Sequence, residues 1–240
     1  MYGSKIDNLI KLRDNGFNVP AFTVVPYEDA VREDLKFELP SEGKLFSVRS
    51  SANVEDGEFQ SFAGQFDTFL DVARDDVAAK IKDIVGSLNR DSVKAYAESK
   101  NIDTSDIRMN IIVQDMIASE VSGVLFTANP QGILNESVIT VGRGLGEGIV
   151  SSKVDTTSYY YNLTDKICYF EGKEDLLSQD KIEELIGISD KMKPIFGEYL
   201  DIEFAIKNDE IFSKGSNPFF SATTQKNPRF EANPKMDTLQ

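Results

Sequence analysis

The stretch from Phe46 to Val72, FSVRSSANVEDGEFQSFAGQFDTFLDV, constrains this chain more than any other. Phe46 and Val48 are spaced for a strand with a buried face, and Arg49 leaves its end beside two hydroxyls, Ser50 and Ser51. An acidic pair (Glu55, Asp56), a turn at Gly57 and the run Ser61-Phe62-Ala63-Gly64-Gln65 follow. Phe66, Thr68 and Leu70 then recur at period two, which predicts a second strand with all three on one side. An arginine, small hydroxyls and a close-approach glycine at such a junction suit phosphate oxygens. The guanidinium offers a planar fork of donors, and glycine lets backbone N–H groups come near an anion. An ordinary solvated hairpin with a surface ion pair has the same pattern, so on pattern alone both readings stand.

A partner for that arginine must be sought against the charge of the whole chain, which is −14 with no basic block. Nucleic acid and anionic membranes are therefore poor partners, and a phosphate ligand needs a local cationic cluster. The 240 residues, 40% of them hydrophobic, suffice for one large domain or two small ones with a real core. No run approaches eighteen apolar residues and no signal-type segment precedes the first amphipathic stretch, so a soluble, cytoplasmic protein is expected. Cys168 is the sole cysteine, which excludes an internal disulfide; within the apolar run Ile167–Phe170 it reads as a small core residue rather than a nucleophile. Histidine is absent, so no His triad, His metal site or phosphohistidine lies within these residues.

Taken in order, Ile6, Leu9, Ile10 and Leu12 form a helical stripe ending at Gly16, a C-cap, and Ala21–Val25 reads as a strand. Tyr27–Leu35 is expected to be a helix, followed by a turn and a strand over residues 45–48. Val77, Ile81, Ile84, Val85 and Leu88 mark one core-facing helix, and Val93, Tyr96 and Ala97 the next. Met109–Met116 reads as a buried strand, and Thr127-Ala128-Asn129-Pro130 as the turn that closes another. Val138–Val141 is a strand before the glycine-rich Gly142–Gly148, where Arg143, like Lys153 beyond it, reads equally as a phosphate contact and as a solvated charge. Tyr159–Tyr161 and Ile167–Phe170 form a hairpin, and Ser178 caps a helix that Gly197 ends.

In Asp201-Ile202-Glu203-Phe204-Ala205-Ile206 the alternation is complete, so Asp201 and Glu203 share one face. Two carboxylates held together repel unless they share a cation, and Mg²⁺ favours carboxylate oxygens together with bridging phosphates. The solvated outer face of an edge strand is the other reading.

Five blocks carry a resemblance. They are Val48-Arg49-Ser50-Ser51-Ala52 with Ser61-Phe62-Ala63-Gly64-Gln65, the opening Gly3-Ser4-Lys5 with Asn8-Leu9, Gln114 and Met116 followed by SEVSGVLFTANP, the Gly144-Leu145-Gly146-Glu147 segment, and the acidic strand itself. Together they resemble the nucleotide-binding domain shared by phosphoenolpyruvate synthase, pyruvate phosphate dikinase and rifampicin phosphotransferase. The resemblance implies an α/β (α+β) ATP-grasp fold, with two subdomains, roughly 1–108 and 109–218, whose mixed or antiparallel sheets and flanking helices clamp ATP, and a tail at 219–240. It implies that Lys5 and Arg49 neutralise phosphate charge in the catalytic step, helped by backbone near Gly64 and Thr68. Gln114 and the backbone about Met116 would contact adenine, and Asp201 and Glu203 would hold Mg²⁺. The implied activity is phosphoryl transfer from MgATP to a histidine on another domain or chain, and thence to a small molecule. A degenerate nucleotide-binding module and an ATP-grasp ligase are the alternatives.

One departure is specific. Where the family carries Q-x-R-P after the acidic strand, this chain has Gly215, Asn217 and Pro218 in a polar stretch, so both polar ligands are lost.

Overall fold

Helix α1 (Ser4–Asp14) buries Ile6, Leu9 and Leu12, the stripe its spacing predicts. It ends as expected. Gly16 takes φ +78°, and its N–H donates to Arg13 O (3.0 Å) while Phe17 N–H donates to Leu12 O (3.1 Å), the paired bonds of a Schellman ending. The computed structural model describes residues 2–53, 56–57, 60–61, 66–99, 102–144 and 155–218, with only the backbone described at 56, 57, 60, 61 and 216–218.

Contacts divide the chain into two compact units. The first holds Met1–Ala118 with Phe212–Gly215, the second Ser119–Ile211 with Ser216–Gln240. The division therefore falls ten residues later than the sequence led us to place it, after Ala118 instead of residue 108. Its cause is strand β6 of the first unit's sheet (Met109–Asp115), described next.

The first unit is built on β1 (Phe22–Val25), β2 (Leu45–Ala52), β5 (Thr68–Ala73) and β6, in the order β1-β6-β2-β5, every neighbour antiparallel. Between β2 and β5 in the chain, β3 (Asp56–Gly57) and β4 (Gln60–Ser61) make a separate two-stranded ladder. β6 pairs with both β1 and β2, so it is interior to this sheet and cannot open the second unit. One face of the sheet carries Phe46, Val48, Ala52, Met109, Ile111 and Val113 and packs in one core with Val77, Ile81 and Ile84 of α3 (Val77–Gly86) and Val93 and Ala97 of α4 (Asp91–Ser99). The expected helix over Tyr27–Leu35 is shorter, α2 (Tyr27–Ala30). Glu33 and Asp34 would have put negative charge at the negative end of its dipole.

Two expectations for the stretch Phe46–Val72 change. β2 does not stop at Val48 but runs on to Ala52, so Arg49 sits within the strand. And the Thr68/Leu70 side is not the buried one. A bulge shifts the β2–β5 register between Phe46 and Val48, with Asp71 at φ +52°; Phe69 and Val72 consequently both turn to the core and Thr68 is exposed.

The second unit is built on a six-stranded sheet: β7 (Val121–Phe126), β8 (Glu136–Arg143), β9 (Thr157–Asn162), β10 (Cys168–Glu171), β11 (Leu200–Lys207) and β12 (Glu210–Pro218, of which Phe212–Gly215 belong to the first unit), in the order β10-β9-β8-β7-β11-β12. Helix α5 (Gln179–Phe196) is capped by Ser178, whose Oγ accepts from Lys181 N–H (3.3 Å), and Gly197 ends it at φ +111°. The polar stretch before Pro218 is strand. Asn208 (φ +50°) and Asp209 (φ +66°) make a two-residue left-handed turn that sends the chain straight back, and sheet pairing overrides the poor strand propensity. The run Ile167–Phe170 is not core: β10 lies at the sheet edge, with Ile167, Tyr169 and Phe170 exposed. Among the described residues no helix is long and apolar enough to cross a membrane. The expected tail at 219–240 lies outside the described residues.

Candidate functional site

In the first unit, alternation along β2 places Ser47, Arg49 and Ser51 on the face opposite the α3–α4 core. Register carries that face onto β6 through Ser47↔Gln114, Arg49↔Ile112 and Ser51↔Asn110, and onto β5 through Arg49↔Thr68. Helix α1 covers the β1–β6 side of it, where Ile6 and Leu9 pack on Ile112 with Phe22 and Val24 alongside. On the β5 side Arg49 is half-buried and Thr68 exposed. Arg49 and Thr68 thus stand directly opposite each other on an accessible part of one face.

A close approach fixes the N-terminus of α1 against the same strand. Gly3 (φ +99°) lies so near β2 that a Cβ there would stand 2.6 Å from Ser51 Oγ and 2.8 Å from Ala52 O. Ser51 Oγ also accepts from Ile6 N–H (3.4 Å), which ties the first turn of α1 to β2. Lys5 belongs to that turn, so its backbone and the positive end of a helix dipole are tied to β2 at Ser51, two residues from Arg49. Ser51 and Gly3 are the residues the sequence reading undervalued. Ser50, read there as the companion of Arg49, turns the other way: it is buried on the core face, and its Oγ is the one buried side-chain polar atom among the described residues without a hydrogen-bond partner. Gly64 lies outside the described residues.

Gln114 and Met116 sit toward the other end of the same strands. Gln114 is buried and donates from its amide to Pro20 O (3.4 Å), while Met116 N–H donates to Leu45 O (3.1 Å). From the Ser51 row to the Gln114 row is four residues of strand, about 13 Å. The Met116 N–H is engaged within the chain, so an adenine contact at this end would fall to other groups of the segment.

In the second unit Asp201 and Glu203 are both half-buried on one face of β11, opposite Phe126 and Val124 of β7. Ile202, Phe204 and Ile206 turn to the other face and are buried. Thr127 sets where this strand starts: its N–H donates to Leu200 O (3.0 Å), its Oγ1 accepts from Leu200 N–H (2.8 Å), and the same hydroxyl donates to Glu198 O (2.8 Å). The Thr-Ala-Asn-Pro run therefore positions Asp201 as well as closing β7, a role its turn chemistry alone did not reveal. Among the described residues no three carboxylate, thiol or imidazole groups gather closely enough to hold a metal by themselves. A pair of carboxylates suits Mg²⁺ that takes its remaining oxygens from phosphates and water.

Arg143 is not brought to the acidic pair. Opposite Val121 on β8, it falls on the other face of the sheet and forks onto Glu174, with Nε donating to Oε2 at 3.0 Å. The pairing raises the guanidinium's pKa and lowers that of the carboxyl, the hydrogen bond between them being the largest cause in each. Lys173 holds Asp155 (2.8 Å), so residues 173 and 174 tether both flanks of the glycine-rich segment. Lys153 lies outside the described residues, as does the side chain of Asn217; Gly215, in β12, offers no side chain.

The sequence matches the family described as the pyruvate phosphate dikinase AMP/ATP-binding domain over residues 27–174. It is 32% identical over 213 residues to a probable phosphoenolpyruvate synthase of Archaeoglobus fulgidus, covering 77% of this chain and 28% of that protein. It is 30% identical over 200 residues to rifampicin phosphotransferase of Bacillus cereus, covering 72% of this chain and 23% of that one. Among solved structures it is similar to D-alanine–D-alanine ligase of Bacillus anthracis, with a TM-score of 0.47 and 12% identity over 90% of this chain and 56% of that one. The chain spans roughly a quarter of the length of the two phosphotransfer relatives.

Proposed function

Because the chain belongs to the pyruvate phosphate dikinase AMP/ATP-binding family, we propose that it is the MgATP-binding part of a dikinase-type phosphotransferase, working in the cytoplasm as an ATP-grasp clamp. One observation carries the reading: Arg49, Thr68 and the anchored first turn of α1 with Lys5 share one strand, β2, and its neighbour on the face away from the core. Arg49 and Lys5 neutralise the phosphate oxygens, with backbone near Gly64 and Thr68 as further donors, and the segment around Gln114 and Met116 receives the base. Asp201 and Glu203 would hold Mg²⁺, which would supply positive charge to offset that of the nucleotide's phosphates. The protein positions and stabilises rather than attacks. The nucleophile is a histidine nitrogen on another domain or chain, since this sequence has none; the phosphoryl then passes to a small molecule.

Calorimetric titration with ATP, with and without Mg²⁺, tests the binding half. Metal-dependent binding that Arg49→Ala abolishes is the expected result, and equal binding by that variant would put the phosphates elsewhere. Incubation with γ- or β-labelled ATP tests the transfer half. The chain alone should hold no acid-labile phosphate, and label should appear when a histidine-bearing domain of a relative is supplied. Binding without transfer would favour the second reading, a nucleotide-binding module without catalysis. The observation behind it is Gly215, which stands where the resembled enzymes place a glutamine side chain.

A further inference from the structure

Two facing side chains hold the start of α1 to the sheet, and the second of them lies far away in sequence. Asn110 of β6 is buried and pairs in register with Ser51 of β2. Its Nδ2 donates to Tyr2 O (2.8 Å), and its Oδ1 accepts from Tyr27 N–H (3.1 Å). A carbonyl only accepts and an N–H only donates, so the orientation of the amide is fixed and both of its ends are used.

We propose that Asn110 is a positioning residue for the phosphate site, acting through the backbone of Lys5. The proposal rests on reading Lys5 and Arg49 as phosphate contacts. Asn110 and Ser51 take hold on either side of one short segment. Asn110 holds the carbonyl of Tyr2, and Ser51 Oγ accepts from Ile6 N–H (3.4 Å). Gly3, Ser4 and Lys5 lie between the two ties, and the bare Cα of Gly3 lets the segment approach Ser51 and Ala52. One tie alone would leave these residues free to swing about Ile6. Two ties, on strands about 4.8 Å apart, fix both their place and their direction.

Helix formation does not supply this hold. The N–H groups of a first turn have no intrahelical acceptors, and helix ends open first. Tyr2 N–H also donates to Asp7 Oδ1 (3.4 Å), but Asp7 is on α1 and moves with it. The other end of the Asn110 amide serves a different element, since Tyr27 opens α2. Two substitutions separate the two ends. Asn110→Ala loses both bonds, whereas Asn110→Asp keeps an acceptor for Tyr27 N–H and sets an oxygen in place of the donor to Tyr2 O.

Native-state hydrogen exchange without nucleotide reads the tie itself. In both variants the N–H groups of Ile6 and Asp7 should exchange at least about tenfold faster than in wild type, while those of Ile81 and Ile84 in α3 keep their rates. Asn110→Asp carries this measurement if Asn110→Ala does not fold. Calorimetric titration of the full chain with MgATP reads the consequence at the phosphates. Asn110→Ala should weaken binding about tenfold in the wild-type background and no more than about threefold in a Lys5→Met background, because a residue that acts through Lys5 has little left to lose once Lys5 is gone. Equal losses in the two backgrounds overturn the proposal, since a merely structural residue gives them. So does exchange at Ile6 and Asp7 that stays unchanged, or that rises only as much as at Ile81. If Lys5→Met binds MgATP as wild type does, the reading of Lys5 as a phosphate contact fails and takes the proposal with it, an outcome that the exchange rates tell apart from a missing tie.

Discussion

The two units carry opposite charge on their candidate faces and build those faces in opposite ways. In the second, Asp201 and Glu203 come from one strand with unbroken alternation, and the face is a local property of six consecutive residues. In the first, the cationic face is assembled from distant parts of the chain. Arg49 is in β2, Thr68 is across a bulged pairing, and Lys5 is on a helix fixed by Gly3 and Ser51. The acidic face should accordingly tolerate change in the rest of the chain as long as β11 pairs, whereas the cationic face should fail whenever one distant contact is disturbed.

Glycine substitutions break this comparison most sharply, one in each unit. A Cβ on Gly123 would collide with the carbonyl oxygen of Thr140 and stand 2.8 Å from Phe204 and Val141 side-chain atoms, in the middle of β7. Gly123→Ala should therefore destabilise by at least about 3 kcal/mol and lower Tm by roughly 6–12 °C. Gly3→Ala is milder, about 1–3 kcal/mol, since withdrawal of the first turn of α1 relieves both the φ +99° strain and the contact with β2. It should nonetheless weaken ATP binding, because α1 and Lys5 must withdraw from β2. Thermal melts beside ATP titrations check both; full ATP affinity in a folded Gly3→Ala protein would show that the helix is not part of the phosphate site.

That asymmetry also explains what could be read in advance. The pair on β11 was legible because period-two alternation survives intact there, and Ser178 and Gly197 bounded α5 because caps act through neighbours in sequence. The stretch around Arg49 was legible only in part. Alternation gave the strand, but the bulge with Asp71 at positive φ reversed which residues face the core, and no local residue type announces a non-glycine bulge. Ser50 and Ser51 are chemically alike and adjacent; only pairing with β6 decides that Ser51 faces the α1 side. The apolar run at β10 misled for the same reason, because whether a strand is interior or edge depends on what else pairs with it.

Nucleotide titrations sharpen the contrast at the next level of effect. Arg49 offers a fork, and lysine cannot reproduce two parallel donors, so Arg49→Lys should weaken ATP binding by about 1–3 kcal/mol, whether or not Mg²⁺ is present. Glu203→Gln should instead separate ligands. MgATP should weaken strongly and metal-free ADP little, because the carboxylate acts through the cation. Equal losses for both nucleotides in Glu203→Gln would make that residue structural, and a metal-dependent loss in Arg49→Lys would move Arg49 off the phosphates.

The smallest expected effect tests whether the second unit's buried side is as self-contained as its acidic face. Tyr159 is 1% exposed, and its hydroxyl donates to Asp175 (2.7 Å) and accepts from the N–H groups of Leu176 (2.6 Å) and Leu177 (2.8 Å). These bonds hold the residues leading to the Ser178 cap. Tyr159→Phe leaves two backbone donors unpaired and should cost about 1–3 kcal/mol near neutral pH, with ATP affinity unchanged. Burial first, and the bond to Asp175 second, push the Tyr159 hydroxyl up to about 12. An unfolded tyrosine titrates near 10, so the stability this group contributes is fully present below about pH 10 and is lost as pH rises through about 12. The difference in urea stability between wild type and Tyr159→Phe should thus narrow from about pH 8 to about pH 11. Lysine titration affects both proteins alike and cancels in that difference. A gap that stays constant or widens would mean that the hydroxyl's hydrogen bonds are not what holds this segment to β9.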